Sequence, residues 1–122
     1  MTIPDKKHKG LKRIWNAFFY SVNGFKACYR TEEAFKQELV LALLLIPLGL
    51  YLGNTAIERL LLCGSLIFVL LVELLNTGIE RAIDRISFEK HELSKESKDM
   101  GSAAVSLSIL LCLFSWITIL FF

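Results

Sequence analysis

Four side chains that could take part in catalysis recur at helical spacing in one stretch of the sequence. They are Glu73, Asn76, Glu80 and Asp84, within the segment ELLNTGIERAIDR. On a helix with 3.6 residues per turn, these positions fall within about 80° of one another, on one face. Three carboxylates and an amide on a shared face can accept protons, bind a cation or hydrogen-bond a polar substrate.

Glu73 is the most informative of these residues because of its surroundings. It is the one charged residue in the 20 residues from Leu60 to Ile79. A carboxylate inside a membrane is costly, and such residues usually mark a functional site. The alternative for Glu73 is a protonated packing role. For Glu80 with Arg81, and for Asp84 with Arg85, the alternative is a simple charge ladder at the membrane boundary.

Two further groups of charged residues are predicted at the same boundary. Lys98 and Asp99 precede the last apolar run, and the carboxylates Glu32, Glu33 and Glu38 precede the first. Mg²⁺ takes oxygen ligands from one or two carboxylates together with substrate phosphates, and a lysine can neutralise phosphate oxygens. The pattern predicts a polar, cation-binding site at the inner boundary of a membrane.

Three apolar runs are each long enough to cross the ~30 Å hydrocarbon core, which needs ~20 helical residues. They cover residues 39–57, 60–79 and 100–122, with Glu73 as their one charge. A chain of 122 residues that is 54% hydrophobic has too few other residues to cover three such helices in water. The prediction is a single all-α domain, integral to a membrane, with three transmembrane helices.

The segment before the first span has a different pattern. Between Leu11 and Tyr29 bulky apolar residues recur on one side of a helix, which favours a helix lying in the membrane surface. Arg13 and Tyr20, seven residues apart, share its polar side. Arg13 could join Lys98 in neutralising phosphate, although both polar-side residues could equally be solvated.

These patterns divide the chain into six predicted segments. They are a basic arm (1–9), an amphipathic surface helix (10–30), a first span (36–53), a second span with a cytoplasmic extension (56–85), a cytoplasmic loop (86–97) and a third span (98–121).

The distribution of positive charge predicts the orientation. Eight of the 14 Lys and Arg residues precede the first apolar run, Arg59 alone lies near the first loop, and five lie from Arg81 to Lys98. The positive-inside rule then places the N-terminus and the second loop in the cytoplasm, with the C-terminus outside.

Several function classes have no motif in this sequence. There is no G-x-x-x-x-G-K-[ST] phosphate loop, no G-x-G-x-x-G and no Ser/His/Asp arrangement. The net charge of +2 gives no reason to expect a nucleic-acid partner. His91 could touch a nucleotide, or could be a solvated loop histidine. Residue chemistry alone indicates a membrane protein with a polar site, without naming a reaction.

Three motifs carry a resemblance to a known family. The segments EEAFKQE (32–38), VELLNTGIERAIDR (72–85) and HELSKESKDMGSAAV (91–105), with their spacing, resemble the prokaryotic diacylglycerol kinases. The similarity extends from about residue 13 to residue 116. It implies a homotrimer of three-span subunits in the bacterial inner membrane that transfers the γ-phosphate of ATP to diacylglycerol, with active sites between subunits.

The resemblance also implies roles for particular residues. Glu73 would be the general base, and Glu32 and Glu80 would hold Mg²⁺ against the ATP phosphates. The residues expected to contact ATP are Arg13, Tyr20, Glu32, Glu80, Glu89, His91, Lys98 and Asp99. Those expected to bind the lipid or position the base are Arg13, Glu38, Glu73, Asn76, Ser102 and Trp116.

Two alternatives stay open at this stage. A sister branch of the family phosphorylates undecaprenol, although the K-D-M-G-S-A-A form at 98–104 favours diacylglycerol. A small proton-coupled multidrug transporter also uses a membrane carboxylate, but would need a fourth span. The sequence departs from the family pattern at Asn23, where lysine is frequent, and at Glu33, where a small residue is common.

Overall fold

The computed structural model describes residues 9–122, which form four helices. They are α1 (Leu11–Thr31), α2 (Glu33–Leu52), α3 (Ala56–Ile86) and α4 (Glu92–Phe121). The predicted basic arm lies, except for its last residue, outside the described part of the chain. The all-helical class predicted from the sequence is confirmed.

Polar side chains begin the two longest helices. The Thr55 hydroxyl accepts a hydrogen bond from the Glu58 amide at the start of α3, and His91 Nδ1 accepts one from the Leu93 amide at the start of α4. Such caps satisfy donors that a helix terminus would leave without a partner. The connections 53–55 and 87–91 are short, so α3 runs antiparallel to α2 and to α4.

Three of the helices, α2, α3 and α4, are long and apolar enough to cross a membrane. α3 lies at the centre of the described chain, packed against both α2 and α4. Its buried residues recur every three or four positions, whereas those of α2 and α4 recur every seven. Small residues in these stripes, Ala42 and Gly49 on α2 and Gly101 and Ser108 on α4, allow the helices to approach closely.

The last helix differs from its predicted bounds. Residues 92–97, assigned from the sequence to a cytoplasmic loop, form the first turns of α4, so the connection between α3 and α4 is only 87–91. The high charge of this segment concealed its helical character, because the sequence bounds followed the apolar run. The early start extends α4 beside the polar end of α3.

Helix α1 exposes its apolar side. Ile14, Trp15 and Phe18 are each more than 60% exposed, and Cys28 is the one buried residue of this helix. An aromatic face on a helix that joins the first span directly suits the membrane surface.

Candidate active site

Two carboxyl groups meet inside the membrane-spanning bundle. Glu73 of α3 is buried, with 7% of its surface exposed, and its carboxyl is close enough to Glu38 on α2 to act on it electrostatically. Glu38 Oε2 is buried and has no hydrogen-bond donor among the described residues. Two acidic side chains are thus neighbours within the spanning bundle, a costly arrangement that usually marks a functional site.

Asn76 connects this pair to the next turn of α3. Its Nδ2 donates to Glu80 Oε1 at 3.2 Å, and its Oδ1 is buried without a donor among residues 9–122. Gly101 of α4 lies directly against the amide, where a Cβ would overlap Asn76 Oδ1 and stand 3.1 Å from its Cγ. Because residue 101 is glycine, the Asn76 side chain has room to lie against α4 and to hydrogen-bond Glu80.

Lys98 of α4 faces the cytoplasmic extension of α3. Its Nζ lies 2.7 Å from Asp84 Oδ1, and Glu80 is close enough to act on it electrostatically. One turn earlier on α4, Lys95 Nζ pairs with Asp99 Oδ2 at 2.6 Å. Positive and negative side chains thus alternate at the end of the bundle where the sequence predicts phosphate binding.

A cleft of about 640 Å³ opens beside these pairs. Four of the residues predicted to contact ATP line it together, namely Glu89, His91, Lys98 and Asp99. Its size is in the range of small-molecule sites. The connection between α3 and α4 forms one wall, and the Glu89 amide there donates to Ser87 Oγ at 3.0 Å.

Glu32 follows the end of α1 that contacts α3. The Cys28 thiol, one turn before Glu32 on α1, donates to Thr77 Oγ1 at 3.6 Å, and Glu32, Glu73 and Arg81 all act electrostatically on that thiol. Burial is the main cause that raises the pKa of Cys28. The contact places Glu32 on the side of α3 that carries Glu73.

The remaining predicted residues are either exposed or bonded to other parts of the chain. Arg13 and Tyr20 are exposed on the first half of α1, and Ser102 is exposed at the start of the α4 span. The Trp116 indole donates to Leu62 O at 3.0 Å. Since Leu62 precedes Glu73 by eleven residues, this contact is ~16 Å away along α3.

The carboxylates suit a hard cation in their chemistry. Glu32 and Glu80, predicted as metal ligands, carry the oxygen atoms that Mg²⁺ prefers, and Mg²⁺ needs one or two carboxylates when substrate phosphates complete its shell. No group of three or more His, Cys, Asp or Glu residues in the described chain is arranged to hold a metal ion by itself. Glu32 and Glu80 therefore suit a cation that binds together with a polyphosphate better than a cation held by protein side chains alone.

Two contacts of this site were missed at the sequence level. Thr77, which receives the Cys28 thiol, is four residues after Glu73 on the same helical face, and that spacing could have indicated it. The sequence indicates Arg81 only as part of a charge ladder with Glu80, whereas in the structure Arg81 donates to the end of α1. No sequence pattern shows that its partners are main-chain and hydroxyl oxygens 50 residues earlier.

Comparisons with known proteins identify the family of this chain. The family model for prokaryotic diacylglycerol kinase matches residues 19–120. Diacylglycerol kinase from Pseudomonas aeruginosa is 46% identical over 117 residues, covering 96% of this chain and 95% of its own. The protein of the same name from Haemophilus influenzae is 43% identical (95% and 98% covered), and that from Escherichia coli K12 is 44% identical (91% of each). The chain belongs to the prokaryotic diacylglycerol kinase family.

Proposed function

We propose that this protein transfers the γ-phosphate of ATP to the primary hydroxyl of diacylglycerol, forming phosphatidic acid at the cytoplasmic face of a bacterial inner membrane. The observation that carries the proposal is the position of Glu73. It is buried in a spanning helix, yet only two turns, or ~10 Å, from Glu80 and the charged cytoplasmic end. A lipid hydroxyl could reach Glu73 from the membrane, and a nucleotide phosphate could reach Glu80 from the cytoplasm.

Glu73 acts as the general base in this scheme. Its carboxylate takes the proton of the lipid hydroxyl as that oxygen bonds to the γ-phosphorus. The bond from the γ-phosphorus to the β,γ-bridging oxygen breaks, and ADP leaves with that electron pair. Glu38, which lies close to Glu73, helps to position the lipid or the base. The buried oxygens of Glu38 and Asn76 are suited to receive the lipid hydroxyls.

The nucleotide binds at the cytoplasmic end. Glu32 and Glu80 would hold Mg²⁺, which would supply positive charge to neutralise the bound phosphates. Lys98 balances phosphate charge, while Glu89, His91 and Asp99 line the cleft that receives the rest of the nucleotide. Arg13 and Tyr20 contact the nucleotide from α1.

The remaining residues act in an assembled protein. The chain forms a homotrimer with active sites between subunits, in which Ser102 and Trp116 help to position the lipid or the base. The N-terminus would be cytoplasmic and the C-terminus periplasmic, as the distribution of Lys and Arg predicts.

One assay tests the function. Purified protein in mixed micelles receives labelled ATP with diacylglycerol, undecaprenol or no added lipid, and labelled lipid is measured. We expect Mg²⁺-dependent labelling of diacylglycerol well above that of undecaprenol. Preferential labelling of undecaprenol would assign the chain to the sister activity, and labelling of neither lipid would contradict a lipid kinase.

A further inference from the structure

Glu32 is the single residue that joins α1 to α2. Its backbone is extended (φ −113°, ψ 110°), and its amide donates to Cys28 O at 2.9 Å, which closes the last turn of α1. Its side chain makes no hydrogen bond that caps α2. The position of the Glu32 carboxylate therefore depends on how the end of α1 is held.

Arg81 of α3 holds that end of α1. Its Nη2 donates to Ala27 O at 3.3 Å and to the Thr31 hydroxyl. The Thr31 hydroxyl in turn donates to Ala27 O at 2.8 Å. A guanidinium at the C-terminus of a helix also complements the helix dipole. Together with the Cys28–Thr77 contact one turn away, Arg81 fastens the last two turns of α1 to α3.

The rest of α1 offers little other attachment. Apart from Cys28, the helix has no buried residue, and its first half is largely exposed. The rings of Phe25 and Phe35, 6.2 Å apart, form a further contact near the same end. Loss of the Arg81 hydrogen bonds would free the junction at Glu32 while leaving the spanning bundle intact.

We propose that Arg81 is a positioning residue for Glu32, and that it fixes the angle at which α1 brings this carboxylate to the Mg-ATP site on α3. The inference rests on the proposed function, because it acts through a metal ligand assigned there. It gives a role to an arginine that contacts no reacting group.

The first test needs neither metal nor nucleotide. With Cys63 and Cys112 replaced by alanine, a membrane-permeant maleimide reports on Cys28, which is protected by burial and by the elevated pKa of its thiol. We expect Arg81→Ala to speed labelling about tenfold or more, because hydrogen bonds from a charged donor are lost. Arg85→Ala, an exposed arginine one turn further along α3, serves as the control and leaves the rate unchanged. Equal rates for the two variants would overturn the proposal.

The second test asks whether the attachment acts through Glu32. Arg81→Ala should raise the Mg²⁺ concentration for half-maximal rate and the KM for ATP, with the KM for diacylglycerol unchanged. In a Glu32→Gln background the same substitution should add nothing, whereas Arg81→Lys should recover part of the loss. Additive effects of the two substitutions would contradict the coupling. A Glu32→Gln variant with an unaltered Mg²⁺ requirement would instead overturn the metal role in the proposed function, while the Cys28 labelling would still decide whether Arg81 holds α1.

Discussion

Gly101 of α4 and Asn76 of α3 fit together without space for one more carbon. A Cβ at position 101 would overlap the Asn76 amide oxygen, which accepts no hydrogen bond within the described chain. Since the same amide group donates to Glu80 through Nδ2, the packing of the two helices at Gly101 is coupled to the orientation of a predicted metal ligand. This one contact therefore affects both the packing of α3 against α4 and the orientation of Glu80.

We expect Gly101→Ala to impair both stability and catalysis. The added methyl must displace Asn76 or separate the helices, and overpacking of this kind costs about 1–3 kcal/mol. Gly78→Ala is a matched control, because a Cβ there meets no atom within 4 Å and alanine favours the helix. Thermal denaturation in detergent and the rate at saturating lipid measure the two effects. Equal behaviour of the two variants would contradict the role of Gly101.

Glu73→Gln should abolish turnover while leaving assembly intact. The amide keeps the size of the carboxyl group but cannot accept the lipid proton, and a general base contributes ~10²–10⁴-fold to the rate. Single-turnover phosphorylation measures the loss, and the oligomer size in detergent controls for assembly. Retention of more than about a tenth of the activity would exclude Glu73 as the base.

Glu32→Gln and Glu80→Gln should each raise the Mg²⁺ concentration needed for half-maximal rate. Each substitution removes one anionic oxygen from the ligand set while preserving side-chain size. Glu33→Gln, one residue from Glu32 and with its side chain 76% exposed, provides the control. An unchanged Mg²⁺ requirement with weaker lipid binding would place Glu32 and Glu80 in the lipid site instead.

A mixing experiment tests whether active sites are shared between subunits. Glu73→Gln and Asp99→Asn are each expected to be inactive, and equal amounts are allowed to form mixed trimers. If one subunit supplies Glu73 and its neighbour supplies Asp99, about a quarter of the sites contain both intact residues and a quarter of the activity returns.

One ion pair at the phosphate-binding end already forms within a single chain. Lys98, next to Asp99, already pairs with Asp84 of its own chain, so part of the phosphate-binding end forms within one subunit. Lack of any recovery in a verified mixed trimer would show that each site belongs to one subunit.

Much of this protein is determined by local sequence. Each of three apolar runs is about long enough to cross a membrane, and a helix lets its backbone N–H and C=O groups hydrogen-bond to each other in lipid. The spans therefore follow from these runs alone. Helical periodicity likewise placed Glu73, Asn76, Glu80 and Asp84 on one face before any contact was known. The family motifs then indicated the reaction, because their residues and spacing are specific.

The tertiary structure decided which residues meet across helices. The pairing of Glu38 with Glu73, the fit of Gly101 against Asn76 and the attachment of Arg81 to the end of α1 each join residues more than 20 positions apart. Periodicity gives the face of a helix but neither its axial register nor its rotation against a neighbour. Those depend on how side chains of two helices fill the space between them, which is a property of the packed pair rather than of either segment.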